Sequence, residues 1–188
     1  MKKLLFLAAL FLSSCITVDD FGSFWDEAVI DPALAGDWKM TSVPSADMPG
    51  AKELRFVLQG DHYGLATSAD FSKEQSGKPD FMPARTLRAG SYAYLAVCCD
   101  KDKHSGTVLA RYRIAPGMLK VYAQRDDTVI AWLQEHYPHA ANIGRYGPGA
   151  QGEHVIIHTF DDETLKILSE IPEGDMYWRL VAEYKKAW

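Results

Sequence analysis

The chain has 188 residues, 47 % of them apolar and 12 % aromatic, with a formal net charge of −5. That length supports one domain with a real core, and that apolar content excludes a disordered chain. No Lys/Arg block occurs, so a nucleic-acid footprint is absent, and the five Trp and nine Tyr lean toward strands.

Lys2 and Lys3 precede an apolar run from Leu4 to Leu12, followed by Ser13, Ser14 and Cys15. A cationic start, a short apolar stretch and small residues at a break describe a secretory signal. As a helix the run spans only about 14 Å, too little for a hydrocarbon core of about 30 Å. Its ending, Leu12-Ser13-Ser14-Cys15, resembles the lipobox of bacterial lipoproteins. The resemblance implies a diacylglyceryl group on the Cys15 thiol, cleavage between Ser14 and Cys15, and acylation of the new amino group. More than one acyl chain gives stable anchoring. In that family an aspartate after the cysteine favours retention in the inner membrane; Ile16 stands there in this chain, which implies the periplasmic face of the outer membrane. Residues 1–14 are thus expected to be a signal peptide, 15–20 a lipidated tether and 21–188 one domain.

Phe21, Phe24, Trp25, Ala28 and Val29 recur at helical spacing, which predicts a short helix that caps the domain, ended by Asp31-Pro32. From Trp38 the pattern turns to short runs separated by turns. "DWKMTSV", "KELRFVL" and "HYGLATS" read as strands, the last two joined in a hairpin across Gly60-Asp61. A polar loop, "FSKEQSGKPDFMP", leads to "ARTLR" and "YAYLAVC", a second hairpin through "AGS". In "TVLARYRI", Val108, Ala110, Tyr112 and Ile114 form one face, and Thr107, Arg111 and Arg113 the other. Such alternation predicts an antiparallel sheet with one wet face. "APG" then turns into "MLKVYAQ", with Leu119, Val121 and Ala123 toward the core.

After Asp126-Asp127, the spacing of Val129, Ile130, Leu133 and Tyr137 predicts a helix stopped by Pro138. A Gly-rich loop is expected from Pro138 to Gly152, then a strand "HVIIHTF", a helix "DDETLKILSEI" capped by Asp161 or Asp162, and a last strand "MYWRLVAEY". The expected fold is mainly β with two or three short helices: an antiparallel up-and-down barrel or curled meander of eight to nine strands.

Gly36-Asp37-Trp38 resembles the Gly-x-Trp at the first strand of lipocalins, where the Trp plugs one end of the barrel. The resemblance implies that an Arg near the final strand, here Arg179, stacks on Trp38, and that the barrel carries a small apolar ligand. A small barrel filled by its own side chains is the competing expectation.

Candidate chemistry is sparse. Cys98-Cys99 puts adjacent thiols on opposite faces of a strand, leaving open a vicinal disulfide, an intermolecular bond or two thiols. His136 and His139 could meet His154 or His158 across the Gly-rich loop in a three-nitrogen metal site, whereas solvent-facing histidines are the simpler expectation. "GRYGPGAQG" lacks the Lys-Ser/Thr of a phosphate loop, and the pairs Asp126-Asp127 and Asp161-Asp162 precede helices, where capping explains them. The sequence therefore predicts a lipid-anchored cell-envelope protein with a binding or structural role, no cofactor and no enzymatic activity. Its expected partners are the membrane, through Cys15, and a small apolar ligand or an envelope protein. The alternatives are a lipocalin-like carrier and a metal-dependent hydrolase using the histidines.

Overall fold

The computed structural model describes residues 16–42, 51–67, 81–98, 107–149 and 152–187. Among them, eight strands close an antiparallel up-and-down barrel of lipocalin-like architecture. The order around it is β2 (Gly36–Ser42), β3 (Glu53–Gln59), β4 (His62–Thr67), β5 (Met82–Ala89), β6 (Tyr92–Cys98), β7 (Thr107–Ala115), β8 (Met118–Gln124) and β11 (Trp178–Lys186), which returns to pair with β2. Closure leaves no open sheet edge within the barrel, the physical advantage of this arrangement. The hairpins β3–β4, β5–β6 and β7–β8 turn at one end. Trp38 and Lys186, paired in register, lie at that same end.

Of the alternating residues expected to face the core, Leu54, Phe56, Ala110, Tyr112, Leu119 and Val121 do so, whereas Leu58 is exposed at the end of β3. Trp38, Phe56, Tyr63, Leu65, Leu95, Tyr112, Leu119 and Tyr184 pack in one buried cluster within the barrel. Side chains of this size occupy the space an eight-stranded barrel encloses.

A second layer packs outside. Between β8 and β11 the chain inserts α2 (Asp126–His136), β9 (Ile143–Gly149), β10 (Gly152–Thr159) and α3 (Asp162–Glu170). With β1 (Ile16–Asp20) they cover the outer face of β5–β7. Leu87, Tyr94, Ala96, Cys98 and Leu109 face this layer, and the Tyr94 hydroxyl donates to the Leu168 carbonyl at 3.0 Å. The Asp161 side chain accepts from Thr164 N at 2.8 Å, so the expected cap of α3 is formed. The amphipathic stretch at 21–29 shrinks to α1 (Phe24–Glu27), and it does cap the domain: Phe21 stacks on Phe160 with ring centroids 4.6 Å apart.

Three expectations are corrected. Residues 16–20, read as a tether, are β1, which runs antiparallel to β7 and parallel to β10. Ile16 and Val18 are buried there, and the polar residues Asp19 and Asp20 stay exposed at its end. The outer face of β7 is not wet throughout, because β1 and the inserted layer bury Thr107, Leu109 and Arg111 and leave Arg113 exposed. β7 forks: its first residues pair with β1 and its later ones with β8, while β6 lines its other edge. Finally, the loop expected over 138–152 contains β9, paired with β10 from Ile143↔Ile157 to Gly149↔Gly152. A Cβ at Gly144 would come 2.5 Å from Nε2 of the exposed His158 ring, so a side chain there would displace that ring. The loop expected over 71–83 falls mostly outside the described residues; its end, Met82-Pro83, belongs to β5.

Candidate functional site

The closed end of the barrel is built by the chain that enters it. A 3-10 turn, Pro32–Leu34, crosses beneath the strands and buries Leu34. Asp31 starts this turn by accepting from Ala33 N at 3.1 Å. Its other carboxylate oxygen accepts from the Tyr112 hydroxyl at 2.8 Å, and its backbone carbonyl from the Tyr63 hydroxyl at 2.9 Å. Two tyrosines inside the barrel thus hold the plug.

Trp38 is 1 % exposed, and its indole N–H donates to the Leu34 carbonyl at 2.7 Å. Gly36, the first residue of the motif, has φ +111° and faces the Lys186 side chain, whose Cε would lie 3.3 Å from an added Cβ. The cation over the Trp38 ring is Lys186, its Nζ 5.3 Å from the centroid. Arg179 is corrected: it pairs in register with Ala123, toward the opposite end of β11, whereas Lys186 pairs with Trp38. About 20 Å of strand separates the two positions. The lipocalin-like expectation identified the plug and its tryptophan but not the cation. The expected last strand stopped at Tyr184, two residues short of Lys186.

Beside this plug lies a cleft of about 390 Å³. It opens where the pairing of β6 with β7 ends at Ala93↔Tyr112 while β7 continues to Ala115 along β8. Arg88 and Tyr92 line it from the β5–β6 hairpin, Arg111, Tyr112 and Arg113 from β7, and Asp31 from the plug.

Arg111 is its distinctive member. The side chain is 5 % exposed, with its guanidinium 3.9 Å from the Tyr92 ring centroid and 5.0 Å from that of Trp178. Stacking of this kind suits the flat, weakly hydrated guanidinium. One oxygen of Glu173, from the loop before β11, accepts from Arg111 at 3.0 Å and from Arg113 at 2.5 Å. The hydrogen bond from Arg113 and the charges of both arginines hold the Glu173 carboxyl below its ordinary range. Burial raises the Tyr92 phenol, so it stays neutral beside them. Sequence reading noted Arg111 and Arg113 only as a wet face. Their partners come from β6, β11 and a distant loop, and no local spacing announces them.

The candidate histidines are placed apart in role. His136 stacks on Trp132 at 4.9 Å, and its Nδ1 lies 3.0 Å from the Trp132 carbonyl, at the end of α2. His139 is exposed just beyond. His158, on β10, sets Nδ1 3.0 Å from an Asp19 oxygen on β1. His154 is opposite Tyr146 in the β9–β10 register, and its side chain lies outside the described residues. Among the described residues, no group of three or more His, Cys, Asp or Glu is placed to hold a metal ion. Cys98 is buried against the second layer; Ser14, Cys15 and Cys99 lie outside the described residues.

No family model, curated protein or solved structure matches the chain. What can be argued about its role therefore comes from its own residues.

Proposed function

We propose that this is a lipid-anchored cell-envelope protein that binds through the outside of a packed barrel rather than through its lumen. What supports the second half of this reading is the number of large side chains buried within the barrel. Trp38, Phe56, Tyr63, Tyr112 and Tyr184 occupy the space where a carrier would hold an apolar ligand. Displacing such side chains would sacrifice burial worth about 1.5–3 kcal/mol each.

The anchor rests on the lipobox residues Leu12 to Cys15. The position of β1 adds a consequence. Ile16 is already paired with Leu109, so an acylated Cys15 would be one residue from the folded sheet. Adjacent Cα atoms are 3.8 Å apart across a trans peptide. The domain would then sit directly on its membrane, with no spacer.

Two measurements test the reading. Labelled palmitate should be incorporated by the native chain and lost in Cys15→Ala; equal labelling would refute the anchor. An environment-sensitive apolar fluorophore should show no saturable uptake by the purified protein. Saturable uptake abolished by Tyr184→Trp, which would add bulk inside the barrel, would support the lipocalin-like carrier instead.

A further inference from the structure

The geometry points to a binding site for a small molecule bearing a carboxylate or phosphate group, in the cleft between the β5–β6 hairpin and β7. The inference rests on the reading above only in placing the ligand outside the lumen.

The charge balance favours an anion. Arg88, Arg111 and Arg113 line the cleft, against one lining carboxylate, Asp31. That carboxylate is already engaged: one oxygen takes the Ala33 N–H and the other the Tyr112 hydroxyl. Arg88 approaches it only to 3.8 Å. Glu173 satisfies one donor on each of Arg111 and Arg113 and does not line the cleft. Among the described residues that is one bond for each guanidinium, which carries five N–H donors.

Arg111 supplies the second argument. Its Nε is buried and has no hydrogen-bond partner among the described residues. A buried donor left unmade is costly, and native proteins rarely keep one without a reason. The rings of Tyr92 and Trp178 fix the guanidinium plane before any ligand arrives, which lowers the ordering cost of binding. Arginines so held match the planar or tetrahedral oxygens of carboxylate and phosphate.

The third argument is shape. A cleft of about 390 Å³ falls in the range of small-molecule sites. Below Tyr112, β7 has no register partner in β6, so its backbone edge borders the same space.

The test is a titration of the full chain, purified in detergent micelles and labelled with ¹⁵N-arginine, following the Arg Nε–H resonances. Sodium phosphate, sodium acetate and sodium chloride are compared at equal ionic strength. The inference expects saturable shifts of the Arg88, Arg111 and Arg113 signals with phosphate or acetate. The tighter of the two assigns the natural group as phosphoryl or carboxyl. Arg88 and Arg113 are more than half exposed, so Arg88→Ala and Arg113→Ala should fold normally. Each should weaken binding by about tenfold or more, the loss of one charge-assisted hydrogen bond. Glu173→Gln should tighten binding by freeing donors, a direction that a merely structural ion pair would not produce. Equal shifts in chloride, shifts without saturation, or affinity unchanged in Arg88→Ala would each overturn the site. A fluorophore-filled lumen together with saturable arginine shifts would refute the outside-binding reading and leave the cleft standing; an empty lumen with unresponsive arginines would do the reverse.

Discussion

Asp31→Ala tests how the closed end is held. The mutation removes the acceptor of the Tyr112 hydroxyl bond, 2.8 Å long, and the side chain that accepts from Ala33 N at 3.1 Å. A hydrogen bond to a charged group is worth about 1.5–3 kcal/mol, and a lost cap about 0.5–1 kcal/mol at the low end of its range. The Asp31 side chain is 18 % exposed, so water replaces little of this. The Tyr63 bond to the backbone carbonyl survives the substitution, so the plug is weakened rather than released. The expected loss is therefore about 2–4 kcal/mol, or roughly 5–15 °C in Tm for a chain of this size. Urea unfolding followed by tryptophan fluorescence measures it. Tyr112→Phe removes the same bond from its other side and should cost about 1.5–3 kcal/mol. The double mutant should cost less than the sum of the singles by about that amount, because the shared bond is lost once. Asp31→Asn keeps one accepting oxygen for Ala33 N and turns the other into an amide N–H that can donate to the Tyr112 hydroxyl, so it should lose less than Asp31→Ala. Losses that simply add, or an Asp31→Ala protein within about 0.5 kcal/mol of the parent, would show that this carboxylate does not secure the barrel floor.

Three further outcomes are expected. Gly36→Ala should destabilise by about 1–3 kcal/mol from its positive φ and the Lys186 contact, and Lys186→Ala in the same chain should restore only the steric part; full restoration would remove the backbone argument. Trp38→Phe deletes the donor to the buried Leu34 carbonyl along with ring area, and should cost about 2–4 kcal/mol in urea unfolding; a loss below about 1 kcal/mol would mean the bond is dispensable. The Glu173 carboxyl is lowered from 4.5, first by the hydrogen bond from Arg113, so its stabilisation is full above that value and fades as pH falls through the lowered one. The stability gap between the parent and Glu173→Gln should therefore be constant near neutral pH and narrow as the pH falls through the lowered value; a gap independent of pH would assign the pair no net role.

Much of the barrel was legible because period-2 alternation is a local signal. Leu54 and Phe56, Leu119 and Val121, and Ala110 to Ile114 marked which face turns inward. Glycine-centred turns marked the hairpins, and the spacing of Val129, Ile130 and Leu133 marked α2. Gly36-Asp37-Trp38 marked the plugged end. Those features depend on neighbours a few residues apart.

The rest was decided by contacts between distant segments. Alternation in β7 says that one face is buried but not what lies over the other; the segments inserted between β8 and β11 pack there, while β1 joins the edge of β7 and pairs in parallel with β10, from Thr17↔Ile156. A polar run at 17–20 reads as a tether until that partner exists. β9, broken by glycine and proline, becomes a strand only beside β10. The bulge between Leu180 and Ala182 and the extension of β11 to Lys186 chose which cation lies over Trp38. Arg111 gathers Tyr92, Glu173 and Trp178 from three separate stretches, and only closure of the barrel brings them around one guanidinium. Local patterning chose the elements; long-range pairing chose which polar groups would be enclosed together, and so where a ligand could be recognised.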